Sequence, residues 1–235
     1  MLINYSFQIL ISVSLLILTT FQAENSNRNL SKNFENKSHL IRNRRLASQR
    51  KKIYVELHVV CDFYCFKKHQ TIIGSSFNSN KVSKHVQAYY AMVISLTNTY
   101  YKNSFLNDTE MEFEMVIKNY TILTTEGSSS FTTSKRVFTK INNSYTDSNN
   151  RQYIDCDLAI VEFNEWLIGR IKSNSPLKFD IAIVFTFANI YSKQNDLLGL
   201  SIIGGACTLG ISGILIEDDG SFSSSKTLAH EIAHR

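Results

Sequence analysis

From Lys52 onward, apolar and polar positions follow two alternating periods. Ile53-Tyr54-Val55-Glu56-Leu57-His58-Val59-Val60 is rich in β-branched residues and alternates enough to predict a strand. Val82, Val86, Tyr89, Val93, Leu96 and Tyr100 recur at helical spacing, which predicts a long amphipathic helix from Val82 to Tyr101. Glu112 to Leu123 reads as a second strand. Ser128 to Asn150 is a Ser/Thr/Asn-rich connection with a short helix expected around Val137. Leu158 to Lys172 predicts a second helix, with Trp166 docked on the core. Asp180 to Phe187 (DIAIVFTF) is apolar throughout, as a central strand covered on both faces must be. A short segment from Leu197 to Ile203 precedes Gly204-Gly205, Ile211 to Ile216 reads as a further strand, and Ser225 to Arg235 forms the last element. Strands alternating with helices predict an α/β layer architecture in a single domain.

The segment before this pattern is of another kind. Ile9 to Leu18 (ILISVSLLIL) is an apolar core of signal-peptide length, too short for a membrane span of roughly 20 residues. Residues 1–23 are therefore expected to be a signal peptide with cleavage near Ala23, and no membrane span is expected. Residues 24–45 form a short basic pro-segment ending in Arg42-Asn43-Arg44-Arg45. That run suits a processing protease, and equally a solvated basic linker. The expected location is secreted and extracellular. In that setting the Asn-x-Ser/Thr sequons at Asn29, Asn36, Asn107, Asn119 and Asn142 are candidate glycan sites. Cys61, Cys65, Cys156 and Cys207 are compatible with disulfides. They form no CxxC pair, which argues against a cysteine zinc site.

Composition adds little beyond this. With 235 residues, 43% of them hydrophobic and 11% aromatic, the chain can bury one sizeable core. The formal charge of +5 is modest, and much of it lies between Arg42 and Lys52. No basic stripe is interleaved with aromatics elsewhere, so nucleic acid is not an expected partner.

The strongest chemical signal is His230-Glu231-Ile232-Ala233-His234. On a helix, residues i and i+4 project from one face, so both imidazoles can reach one zinc ion. Glu231 follows the first ligand and is placed to act as general base toward a zinc-activated water. A catalytic zinc takes three protein ligands, and this pair supplies two. His39, His58, His69 and His85 have no metal-ligand spacing with one another and are read as surface or satisfied core residues.

The flanks of that motif carry a resemblance. Gly199-Leu200-Ser201-Ile202-Ile203-Gly204-Gly205-Ala206-Cys207, then Glu217-Asp218, then Thr227-Leu228-Ala229-His230-Glu231-Ile232-Ala233-His234, resemble in order the reprolysin (adamalysin) branch of the metzincin metalloproteases. Lys52 to Val60 and Phe179 to Thr186 resemble that family's first and buried strands. The resemblance implies a metalloprotease domain over residues 46–235, with a mixed, mostly parallel twisted sheet, flanking helices and an active-site helix. It implies zinc held by His230 and His234, Glu231 as the catalytic base, and endopeptidase action on extracellular proteins or peptides. Leu198, Gly199 and Leu200 become the edge strand that pairs with extended substrate. It also implies a structural calcium near Glu56 and Asp180.

The family pattern continues past the second histidine to a third ligand and a methionine turn. The sequence given ends at Arg235, so the domain is read as incomplete at its C-terminus, with weak zinc binding, little activity and a final helical turn frayed for want of caps. Ala233 stands where the family has glycine, and Cys207 is expected to lack its family partner. The alternative is a non-catalytic relative that binds an extracellular protein. A third reading, a gluzincin-type protease, would share the His-Glu chemistry but not the flanks.

Overall fold

In the computed structural model, the described residues are 51–76, 78–104, 111–173, 178–192, 195–208 and 210–235. The expected signal peptide and pro-segment, together with His39, Asn29, Asn36 and Asn107, lie outside them. The chain forms two compact units. The larger, residues 54–100 and 113–235, carries the core and the site. Of the smaller, residues 1–53 and 101–112, only the element ends at 51–53, 101–104 and 111–112 are described.

The elements run β1 (Lys51–Cys61), α1 (Phe63–Ile73), α2 (Ser79–Ser104), β2 (Met111–Ile122), a 3-10 turn (Glu126–Ser129), α3 (Ser130–Thr133), β3 (Tyr153–Asp155) and α4 (Cys156–Lys172). They continue with β4 (Ile181–Thr186), β5 (Asn189–Ser192), β6 (Asn195–Leu197), β7 (Gly199–Ser201), β8 (Gly213–Glu217) and α5 (Ser224–Ala233). The main sheet has the order β2-β1-β4-β8-β7. β4 is parallel to β1, with Leu57 opposite Ile181, and parallel to β8, with Ala182 opposite Gly213. β7 is antiparallel to β8 and forms one edge. The sheet is thus mixed and mostly parallel, flanked by helices, as expected.

The continuous apolar run of β4 has a direct cause: all six of its residues are buried. Ala182 and Val184 join Val60 and Leu215 in a cluster with Ala159, Phe163 and Leu167 of α4. Phe185 instead stacks on Tyr90 of α2, with ring centroids 4.1 Å apart. Successive side chains therefore feed two layers, which is why neither face of this strand tolerates polarity. Trp166 docks as expected, packing on Phe131 and Phe163.

Several elements differ from expectation. α1 was not foreseen. The helix expected around Val137 lies at Ser130–Thr133, and Val137 sits in the turn after it. A second sheet, β3-β5-β6, was also unforeseen and is tied to β8 through Glu217. Its carboxylate accepts from Arg151 Nη1 at 2.8 Å and from the Ile190 N–H at 3.0 Å. Among the described residues, no helix is long and apolar enough to cross a membrane.

Candidate metal centre

The site begins where β8 ends. Asp218 is buried, and its carboxylate accepts from Tyr89 Oη at 2.9 Å, Tyr90 Oη at 2.7 Å and the Gly220 N–H at 3.0 Å. Burial raises its pKa while the tyrosine hydroxyls pull it back. Two adjacent tyrosines of α2 thus clamp the turn that launches α5. Phe222, at φ 64°, completes the turn by stacking on Tyr89 at 4.6 Å. The motif resemblance included Asp218, but nothing in the sequence connected it to Tyr89 and Tyr90, which lie 129 and 128 positions away.

On α5 the helical spacing has its expected effect. His230 Nε2 and His234 Nε2 lie 3.1 Å apart, with ring centroids 4.7 Å apart and nearly perpendicular. His230, Glu231 and His234 can each present a ligand atom within 4.8 Å of the others. The His234 Nδ1 atom is buried and has no hydrogen-bond partner, so Nε2 is the nitrogen turned toward His230. His230 is exposed, whereas Glu231 is only 6% exposed. Two converging imidazole nitrogens beside a carboxylate are a donor set that suits zinc.

Glu231 is held from the edge strand. Ser201 Oγ lies 2.7 Å from Glu231 Oε2 and 3.1 Å from the Glu231 carbonyl oxygen, and the hydroxyl donates. This closeness depends on Gly199, where a Cβ would stand 2.7 Å from Thr227 Cγ2 and 2.9 Å from Glu231 Cγ. The segment expected as edge strand is therefore at the sheet edge and against the histidine helix. Leu198, just before β7, is 60% exposed and its carbonyl accepts from the Glu217 N–H. Gly199 and Leu200 pair with Ile216 and Leu215.

The expected fraying of the last turn is corrected. The Gly204 N–H donates to the His234 carbonyl at 2.9 Å, and the Arg235 N–H bonds back to Ile232 at 3.0 Å. The Arg235 guanidinium donates to the carbonyls of Ile202, Ile211 and Gly213. Burial lowers its pKa to about 10, partly offset by the nearby Glu231 carboxylate. Tertiary contacts from Gly204 and Ser201 to the His234 and Glu231 carbonyls supply the caps that local sequence lacks.

Glu56 and Asp180 come together through the backbone. Asp180 Oδ2 accepts from the Glu56 N–H at 2.8 Å, and Asp180 Oδ1 accepts from the Cys207 thiol at 3.3 Å. The Glu56 carboxylate instead pairs with Lys118 Nζ at 2.8 Å. All four cysteines are thiols in this structure. Of the remaining histidines, His58 and His69 are core residues, buried as one of the two expected alternatives, though each leaves Nδ1 without a partner. Asn142 is exposed in a turn and Asn119 is partly buried in β2.

No family model and no curated protein matches the chain. Among solved structures it is similar to a zinc-dependent peptidase from Methanocorpusculum labreanum (strain Z), at 11% identity over 76% of this chain and 79% of that one, with a TM-score of 0.36. It is also similar to archaemetzincin from Methanopyrus kandleri, at 10% identity over 77% of this chain and 72% of that one, with a TM-score of 0.36. A third similarity is to metalloproteinase-II from Bacteroides fragilis, at 12% identity over 77% of this chain and 41% of that one, with a TM-score of 0.33. Likeness at this level leaves the chemistry to rest on this chain's own residues.

Proposed function

We propose that the chain is the catalytic part of a secreted zinc metalloendopeptidase of the reprolysin-like metzincin type, acting on extracellular proteins or peptides. One observation carries the reading: the His230 and His234 Nε2 atoms meet 3.1 Å apart beside Glu231, against an edge strand. A zinc ion held by the two histidines would supply Lewis-acid polarisation of a carbonyl and a more acidic water. His230 and His234 supply two of the three protein ligands that a catalytic zinc takes.

The chain's own groups take defined roles. Glu231 accepts a proton from the attacking water on one carboxylate oxygen and returns it to the leaving amine. Ser201 holds the other oxygen and so fixes the direction in which the carboxylate points. β7 offers the edge of the main sheet to an extended peptide. Leu198 and Ile203, 60% and 73% exposed at its two ends, provide apolar ground for substrate side chains. The apolar segment Ile9–Leu18 supports secretion.

Glu231→Gln tests this in the full-length protein. Hydrolysis of a generic protein substrate should fall by about 10²-fold or more, the usual worth of a positioned base, while bound zinc is retained. Full activity in that variant would remove Glu231 from the mechanism.

A further inference from the structure

Cys61 ends β1 and Cys65 lies in the first turn of α1, with only Asp62, Phe63 and Tyr64 between them. Their Sγ atoms are 2.8 Å apart, closer than two unbonded sulfurs pack. Both residues are 1% exposed. The join between the two elements is fixed on each side. Cys61 stands opposite Phe185 in the parallel pairing of β1 with β4. Asp62 caps α1, with its Oδ1 accepting from the Cys65 N–H at 2.7 Å.

Apart from each other, the pair's thiol contacts are a long one from Cys61 Sγ to the Asp62 carbonyl, at 3.7 Å, and one between Cys65 and Tyr90. Burial pushes both thiols up, which disfavours the thiolate that a nucleophile requires. Among the described residues, the only cluster of three or more His, Cys, Asp or Glu side chains placed to hold a metal is the one on α5. The one other short contact of Cys65 is with Tyr90 Oη at 2.8 Å, and that hydroxyl already donates to Asp218. Tyr90 therefore keeps its bond to Asp218 if the Cys65 hydrogen is removed, and gives up only the bond it accepts from Cys65.

We propose that Cys61 and Cys65 form an intrachain disulfide stapling the end of β1 to the first turn of α1. The bond forms by exchange with a disulfide oxidant of the glutathione or protein-disulfide class. Two S–H bonds of the chain and the oxidant's S–S bond break, and the Cys61–Cys65 bond forms. The oxidant leaves as two thiols, having taken two electrons and two protons. Because both sulfurs end up buried, the exchange takes place before the core closes over them. The staple lies under Tyr90 and thus one contact away from Asp218, the residue that anchors the turn into α5. Cys156, buried at the start of α4, and Cys207, exposed beside Asp180, stay outside it.

The test is peptide mapping of the full chain folded in a glutathione redox buffer. The protein is denatured with N-ethylmaleimide, digested with trypsin and measured without reduction. Residues 53–67 contain both cysteines and no internal Lys or Arg, so one peptide reports the bond. The expected result is that peptide unlabelled and two hydrogens lighter than its dithiol form. A doubly labelled peptide, or one joined to a peptide carrying Cys156 or Cys207, overturns the proposal. A second readout is the melting temperature, which reduction should lower by roughly 4–10 °C. Cys61→Ala combined with Cys65→Ala should abolish that response. An unchanged wild-type melting temperature on reduction also counts against the staple. Neither readout depends on zinc or on peptidase activity.

Discussion

Gly199 sits where the edge strand and the histidine helix come closest. Its missing Cβ is what lets Thr227 and the Glu231 side chain approach β7. Gly199→Ala should cost about 1–3 kcal/mol of stability through overpacking, measured by urea denaturation. It should also weaken zinc binding less than His230→Ala does, because it displaces the helix without deleting a ligand. At this scale the sequence revealed what is local. His230, Glu231 and His234 are brought together by helical spacing alone, so their convergence could be foreseen. Ser201 could not be paired with Glu231, because thirty residues separate them and only the fold closes the gap. The same holds for Asp218 with Tyr89 and Tyr90.

Elements were legible in proportion to their length and to the regularity of their apolar stripe. α2 follows a clear helical period and β4 an unbroken apolar run, and both lie where these predict. α1 buries only Cys65, Phe66 and His69, a stripe too short to show a period and ending in a histidine. Its one local signal is Asp62 as N-cap. β3, β5 and β6 have three or four residues each, too few to show a period. α4 begins at Cys156, two residues earlier than expected, because Asp155 caps it by accepting from the Leu158 N–H at 3.0 Å. Asp155→Ala should therefore cost about 1 kcal/mol in chemical denaturation, and Asp155→Asn should recover most of it. Equal losses in the two variants would mean that the cap contributes little.

For the whole molecule, burial of titratable groups sets how stability depends on pH. Burial lowers His58 to about 4, aided by Arg170, and lowers His69 to about 4, aided by His85 and Lys68. Unfolded histidines titrate near 6.5. The stability gained by keeping both neutral is thus complete above about 6.5 and drains away as pH falls toward 4. Asp62 acts in the opposite sense. Burial raises it to about 6, so its contribution is complete below about 3.8 and is lost as pH rises toward 6. Asp218 and Glu217, also raised by burial, act with Asp62, so the histidine share is read by comparing the urea midpoint between pH 6.5 and 4 in the wild type and in His69→Phe. His69→Phe keeps an aromatic ring beside Tyr89 and Tyr90 and should make the midpoint fall less, or rise more, as pH drops through that window. An identical pH dependence in the variant would show that His69 contributes nothing to it.

In the proposed function, His230 and His234 hold one zinc ion between them. The most direct measurement is zinc retained per chain after equilibrium dialysis, compared across wild type, Glu231→Gln, His230→Ala and His234→Ala. The expected result is zinc, weakly held, in the wild type and in Glu231→Gln, with loss in either histidine variant. Histidine variants that bind as much zinc as the wild type would contradict the account.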